Sequence, residues 1–98
     1  MIVEFSFEAE RDLEEIGDRI ARDDPTRAST FVDELIGDCL GLVEFPERFA
    51  LVPRYERHGV RHRVHGNYLI FYRIEAQRII VIHVLHGAMD YADLLFPD

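Results

Sequence analysis

The chain has no lysine at all. Its eleven basic residues are all arginine, set against nineteen acids for a formal net charge of −8. General binding along a nucleic acid needs a broadly basic surface, so an acidic balance of this size argues against it. Cysteine is almost absent too. Cys39 stands alone, so no intramolecular disulfide can form and nothing points to a stapled secreted scaffold. Long apolar runs are missing. A stretch such as Ile79 to Ile82 is far shorter than the roughly 20 residues of a membrane span. The opening MIVEFSFEAERD has neither the basic region nor the apolar core of a signal peptide, so the cytoplasm is the expected compartment. No HExxH, CxxC, glycine-rich phosphate loop, GxSxG or dinucleotide fingerprint occurs, and no cofactor is expected.

What is present fits one domain spanning residues 1–98, with 48% hydrophobic and 31% charged residues. The charge is divided. Residues 1–47 carry four arginines against fourteen acids, and residues 48–86 carry seven arginines against two. That leaves room for one specific acidic or anionic partner on the basic half, and against direct nucleic-acid binding by the whole surface.

The chain reads as alternating elements. MIVEF is a short strand, and Ser6 then caps a helix with Glu8 and Glu10 in its first turn, where the helix dipole favours negative charge. Ala9, Leu13, Ile16 and Ile20 recur at helical spacing, and Glu15–Arg19 and Asp18–Arg22 are spaced to pair across a turn. Asp24-Pro25 starts a second helix, with the aspartate as cap and the proline at its first position. Ala28, Phe31, Val32, Leu35, Cys39, Leu42 and Val43 give its buried face, and Pro46 ends it. Residues 46–59 are irregular. From Val60 the period changes to two: Val60, His62 and Val64 alternate with Arg61, Arg63 and His65. Gly66-Asn67 turns the chain into NYLIFYRI, and Glu75-Ala76-Gln77 turns it into RIIVIHVL, without the glycine or asparagine that would fix the register. A short helix or turn is expected within 88–96.

Both of the last two strands are apolar on both faces. The helical hairpin covers one face, leaving only the 46–59 loop and a short tail for the other. An uncovered apolar sheet face marks a partner site, so the pattern predicts a partner, with a homodimer as the alternative.

Three sets of polar residues invite chemistry. His58, His62 and His65 are spaced for a helix, but they fall on or beside an alternating strand that sends His62 and His65 to opposite faces, so no metal site is expected. A ribonuclease needs a base, an acid and a cation for the phosphorane. Arg61, Arg73, His83 and His86 supply those types, although arginines of this kind more commonly pair with acids or cap strand ends. Cys39 lies within an apolar stripe and reads as core rather than nucleophile.

The whole pattern resembles the ParE-type toxins of the RelE/ParE superfamily. The resemblance lies in Phe5-Ser6-x-x-Ala9-x-x-Asp12-Leu13-x-x-Ile16, in Pro25-x-x-Ala28 and in Leu42-x-x-x-Pro46. It is strongest in Gly59-Val60-Arg61, Asn67-Tyr68-x-Ile70-x-Tyr72-Arg73 and Val84-Leu85-His86-Gly87-x-Met89-Asp90. It implies an α+β fold of β-α-α-β-β-β order, a helical hairpin on an antiparallel sheet with a short C-terminal helix or tail. It also implies a ParD-like antitoxin from the same operon, held in a hetero-oligomer, and DNA gyrase as the target. Arg61, Arg63, Phe71, Tyr72, Arg73, His86 and Asp90 are the residues expected to meet a partner. Family members often carry an arginine where Met89 stands. The alternatives are a RelE-like ribosome-dependent mRNA endonuclease, which the acidic, lysine-free composition disfavours, and a non-toxic homologue that only binds an antitoxin.

Overall fold

The computed structural model describes residues 1–97. The elements run β1 (Ile2–Phe5), α1 (Phe7–Ala21), α2 (Pro25–Leu40), β2 (Val60–His65), β3 (Tyr68–Glu75), β4 (Arg78–His86) and α3 (Tyr91–Leu95), with 3-10 turns at Gly41–Val43 and Glu56–His58. Both helix starts follow from local chemistry. The Ser6 hydroxyl accepts from the Ala9 N–H at 2.9 Å, and the Asp24 carboxylate accepts from the Arg27 N–H at 3.0 Å, with Pro25 just behind it.

The strand order is β1-β4-β3-β2. The β2–β3 and β3–β4 pairs are antiparallel, but β1 runs parallel to β4, so the sheet is mixed rather than wholly antiparallel. The cap of α1 sets this direction. Ser6 donates its hydroxyl to the Ile82 carbonyl at 2.8 Å and its N–H to the Val81 carbonyl at 2.9 Å, pinning the end of β1 alongside β4 as the chain turns into the helix. The β3–β4 loop is the two residues Ala76-Gln77, with Ala76 at φ +42°, a left-handed backbone in a residue that does not favour it. Tertiary pairing fixes the register that the turn residues leave open.

Two apolar clusters sandwich the sheet. On the helix side, Ala9, Leu13, Ile16, Leu35, Cys39 and Leu42 pack on Tyr68, Ile70, Tyr72, Ile79, Val81 and Val84. On the other side, Val52, Val60, Phe71 and Leu85 are buried under Tyr55, Tyr91, Leu95 and Phe96. The second face is therefore not left bare, contrary to the expectation from strand pattern. A five-residue helix covers it because its contacts are aromatic: Tyr91 lies 5.0 Å from Phe71, and Phe96 stacks on Tyr55 at 4.2 Å and 7°. Val43, expected on the buried stripe of α2, is instead exposed in the 3-10 turn. The Glu15–Arg19 and Asp18–Arg22 pairs do not form among the described residues. Arg11 reaches Glu15 at 3.6 Å instead, with both side chains in solvent, where such a pair contributes little.

Candidate functional site

The residues singled out by sequence are scattered over both faces of the sheet. Arg61 sits opposite Tyr72 and Arg63 opposite Ile70, on the helix side. Arg61 donates to the carbonyls of Glu47 and Phe49 at 3.1 and 2.8 Å, tying down the 46–59 loop. Arg63 donates to the Asp38 carbonyl at 3.0 Å, pairs with the Asp38 carboxylate at 3.3 Å and lies over the Phe49 ring. Both therefore lock β2 to its surroundings. His65, next along this face, lies 2.7 Å from Asp38 and 3.4 Å from Glu34. His62 points the other way, as the strand period predicts, and its Nδ1 is buried without a hydrogen-bond partner.

Phe71 and Tyr72, expected to meet a partner, both lie inside the fold. Each is fully buried, because β3 is an inner strand covered from both sides. Tyr72 donates its hydroxyl to the Pro46 carbonyl at 2.6 Å, and burial raises its phenol above the ordinary value. Arg73 lies opposite Ile80, on the face away from the helices, and pairs with Glu75 at 3.0 Å. Glu75 also binds Arg78 at 2.9 Å, and hydrogen bonds from Arg78 and Arg73 hold its carboxyl below the usual carboxylate range. Asp90 precedes α3 and is exposed, without a side-chain capping bond.

The two histidines of β4 part company. His83 is spent inside the molecule: its Nδ1 lies 2.7 Å from Asp12 Oδ2, which also accepts the Val84 N–H at 2.9 Å. Asp12 was not singled out as a functional residue by its sequence position, since it reads as one more acid on the polar side of α1. Only the placement of α1 against β4 brings it to the histidine. His86 stands at the end of the strand, its ring 5.2 Å from Tyr68 and its Nδ1 accepting the Ala88 N–H at 3.0 Å. It opens on a groove of about 370 Å³ between α1 and the sheet end, lined also by Asp12, Glu15, Arg19 and Met89.

The geometry limits what these groups can do together. Arg73 lies on β3 five residues from Tyr68, the partner of His86, a separation of about 17 Å along the strand. Arg61 lies on the opposite face from Arg73, fixed to loop carbonyls. The groove at His86 contains two carboxylates and one guanidinium, so a phosphate would meet net negative charge there. Among the described residues no three histidine, cysteine or acidic side chains are placed to hold a metal ion. Cys39 is fully buried, and burial, with Asp38 nearby, pushes its thiol up to about 12. Among the described residues no helix is long and apolar enough to cross a membrane.

Comparison with known proteins fits this architecture. The structure is similar to one from the chromosomal ParDE toxin–antitoxin system of P. aeruginosa, at 18% identity and a TM-score of 0.75, covering 88% of this chain and 95% of that one. It is also similar to a chain of the RelBE2 toxin–antitoxin complex of Mycobacterium tuberculosis, at 25% identity and a TM-score of 0.65, covering 90% and 92%. No curated protein gives a significant match. The family described as "ParE toxin of type II toxin-antitoxin system, parDE" matches residues 3–91. With nearly its full length matched and the RelE/ParE-like arrangement of hairpin and sheet in place, this chain belongs to the ParE toxin family of type II toxin–antitoxin systems.

Proposed function

We propose that this protein is a toxin that acts by binding DNA gyrase and is neutralised in a hetero-oligomer with a ParD-like antitoxin. One toxin domain spanning residues 1–98 would carry the function, in the cytoplasm and without a cofactor. The observation that supports binding over catalysis is the dispersal of the arginines and histidines. Arg61 and Arg63 are held by loop and helix groups, Arg73 is on the opposite face, and His83 is held by Asp12. His86 faces a groove whose lining carries two carboxylates against one arginine. A ribonuclease needs a cation at the phosphorane beside its base and acid, and among the described residues Arg61, Arg73, His83 and His86 lie apart. Family membership supports the antitoxin partner, and the resemblance to ParE-type toxins supports gyrase.

Purified protein added to a gyrase supercoiling reaction and, separately, to a translating extract tests the proposal. Supercoiling is expected to stall while messenger RNA stays intact. Codon-specific cuts in the message with normal supercoiling would establish the RelE-like endonuclease instead. Unimpaired growth on expression without the neighbouring gene would leave a non-toxic antitoxin-binding module.

A further inference from the structure

The groove at His86 lies between α1 and an unfinished stretch of sheet edge. β1 pairs with β4 only as far as Phe5 opposite Val81, yet β4 runs on to His86. Along this stretch the backbone groups of successive residues alternate between the β3 side and the open side. Gly87 donates to the Asn67 carbonyl on the β3 side and Val84 donates to Asp12 on the open side, so residues 84 and 86 face outward. Asp12 satisfies the Val84 N–H. The Val84 carbonyl and the His86 N–H have no partner among the described residues.

The walls of the groove are of two kinds. Asp12, Glu15 and Arg19 line it from one stripe of α1, at i, i+3 and i+7. Asp12 spends Oδ2 on His83 and Val84, while its Oδ1 makes no bond among the described residues. Glu15 has only a solvent-exposed pair with Arg11 at 3.6 Å. The apolar lining includes Met89 and Leu94, which are 44% and 47% exposed. Two carboxylates against one guanidinium attract a basic side chain and repel an acidic one.

Resting on the reading that this toxin acts by binding gyrase, we propose that the groove takes an extended, basic segment of the target enzyme. The segment lies beside β4 as a short parallel strand that prolongs the line of β1. An extended chain suits an open edge because its backbone groups are free, whereas those of a helix are already bonded to one another. Antiparallel pairing would engage both backbone groups of Val84 or both of His86. Asp12 already holds the Val84 N–H, and the His86 carbonyl already accepts from Met89. In parallel pairing one residue opposite Leu85 donates to the Val84 carbonyl and accepts from the His86 N–H. Its side chain falls on the Leu85 side and calls for an apolar residue. The residue before it falls on the Val84 side, beside Asp12, and calls for lysine or arginine.

The test uses the full chain in a gyrase supercoiling reaction, with affinity for the full-length antitoxin encoded beside it measured in parallel. Glu15→Lys and Met89→Asp are compared with the wild type and with Glu56→Lys, an exposed acid on a distant turn. Both groove variants are expected to need about tenfold or more protein for half-inhibition, with unchanged melting temperatures and antitoxin affinity within about twofold. Glu56→Lys should inhibit like the wild type. Equal inhibition by all variants overturns the groove and leaves the gyrase reading standing, whereas a wild type that leaves supercoiling untouched sinks both. A parallel loss of antitoxin affinity would make the antitoxin the occupant and overturn the proposal. Self-association in sedimentation that Glu15→Lys abolishes would do the same for a second copy. Should a variant fail to fold, hydrogen exchange on the wild-type complex with gyrase decides. Protection gained at the His86 amide supports the added strand, and protection gained only elsewhere refutes it.

Discussion

Asp12 and His83, 71 residues apart in sequence, are joined through Oδ2 and Nδ1 at 2.7 Å, and the same oxygen takes the Val84 N–H at 2.9 Å. The contact lies where β1 has ended and β4 continues without a neighbour on that side. The carboxylate stands in for the missing strand, satisfying a backbone donor and blunting an open edge. Asp12→Ala is expected to destabilise the fold by about 1–3 kcal/mol, because it strips the acceptor from two partly buried donors. Asp12→Asn, which keeps one acceptor oxygen, should lose less. Urea midpoints at constant slope measure both, and equal midpoints for Asp12→Ala and the wild type would reduce the contact to a bystander.

Tyr72 and Arg73 are neighbours on the strand that best matches the family, and sequence alone expects either truncation to weaken a sheet edge or a partner contact. Their positions separate them. Tyr72→Ala opens a hole in the main core and is expected to cost about 3–5 kcal/mol, and Tyr72→Phe, which loses only the bond to Pro46, about 0.5–1.5 kcal/mol. Arg73 belongs to a half-exposed cluster with Glu75, so Arg73→Ala should barely move the thermal midpoint. Calorimetry on the three variants checks the order, and an Arg73→Ala loss as large as that of Tyr72→Ala would contradict it.

Cys39 supplies a pH dependence with a definite sign. Its thiol ionises near 9.0 when unfolded and at about 12 when folded. Below pH 9 both states are protonated and the group is neutral towards stability. Between 9 and 12 the unfolded chain releases the proton and the native state does not, so stability falls as pH rises. Cys39→Ala should flatten that fall in a series of melting curves. Native protein at pH 8 should also resist a thiol reagent that labels it at once in denaturant, and fast native labelling would show the site to be open.

Two glycines in the helices are expected to respond oppositely to alanine. At Gly37 an added Cβ meets nothing, so Gly37→Ala should stabilise the free toxin by about 0.5–1 kcal/mol through helix propensity. At Gly17 it would press on Val32 at 3.3 Å, where the two helices touch, and Gly17→Ala should gain less or lose stability. Thermal midpoints decide, and an equal gain at both sites would mean that the hairpin is looser than its packing implies.

Much of the architecture was legible in the residues. Ser6 and Asp24-Pro25 announce their helices because capping is chemistry between neighbours, and the change of period at Val60 marks the sheet. The candidate site was far less legible. Arg61, Arg73, His83 and His86 share residue types suited to ribonuclease chemistry, and only strand register shows that they do not converge. Asp12 and Asp38 each hold a histidine, a role that nothing local in the sequence distinguishes from that of the acids left in solvent.

The missing lysines and the net charge of −8 argue by themselves against general nucleic-acid binding, since long-range repulsion depends on total charge more than on shape. Local signals likewise determined where helices begin and which strands carry apolar side chains on both faces. The tertiary structure alone decided what those faces meet. It sealed the second sheet face with Tyr91 and Phe96, turned β1 parallel to β4, buried Phe71 and Tyr72, and left Leu40 and Phe45 exposed. Contacts between residues tens of positions apart depend on how whole elements pack, and no local pattern encodes them.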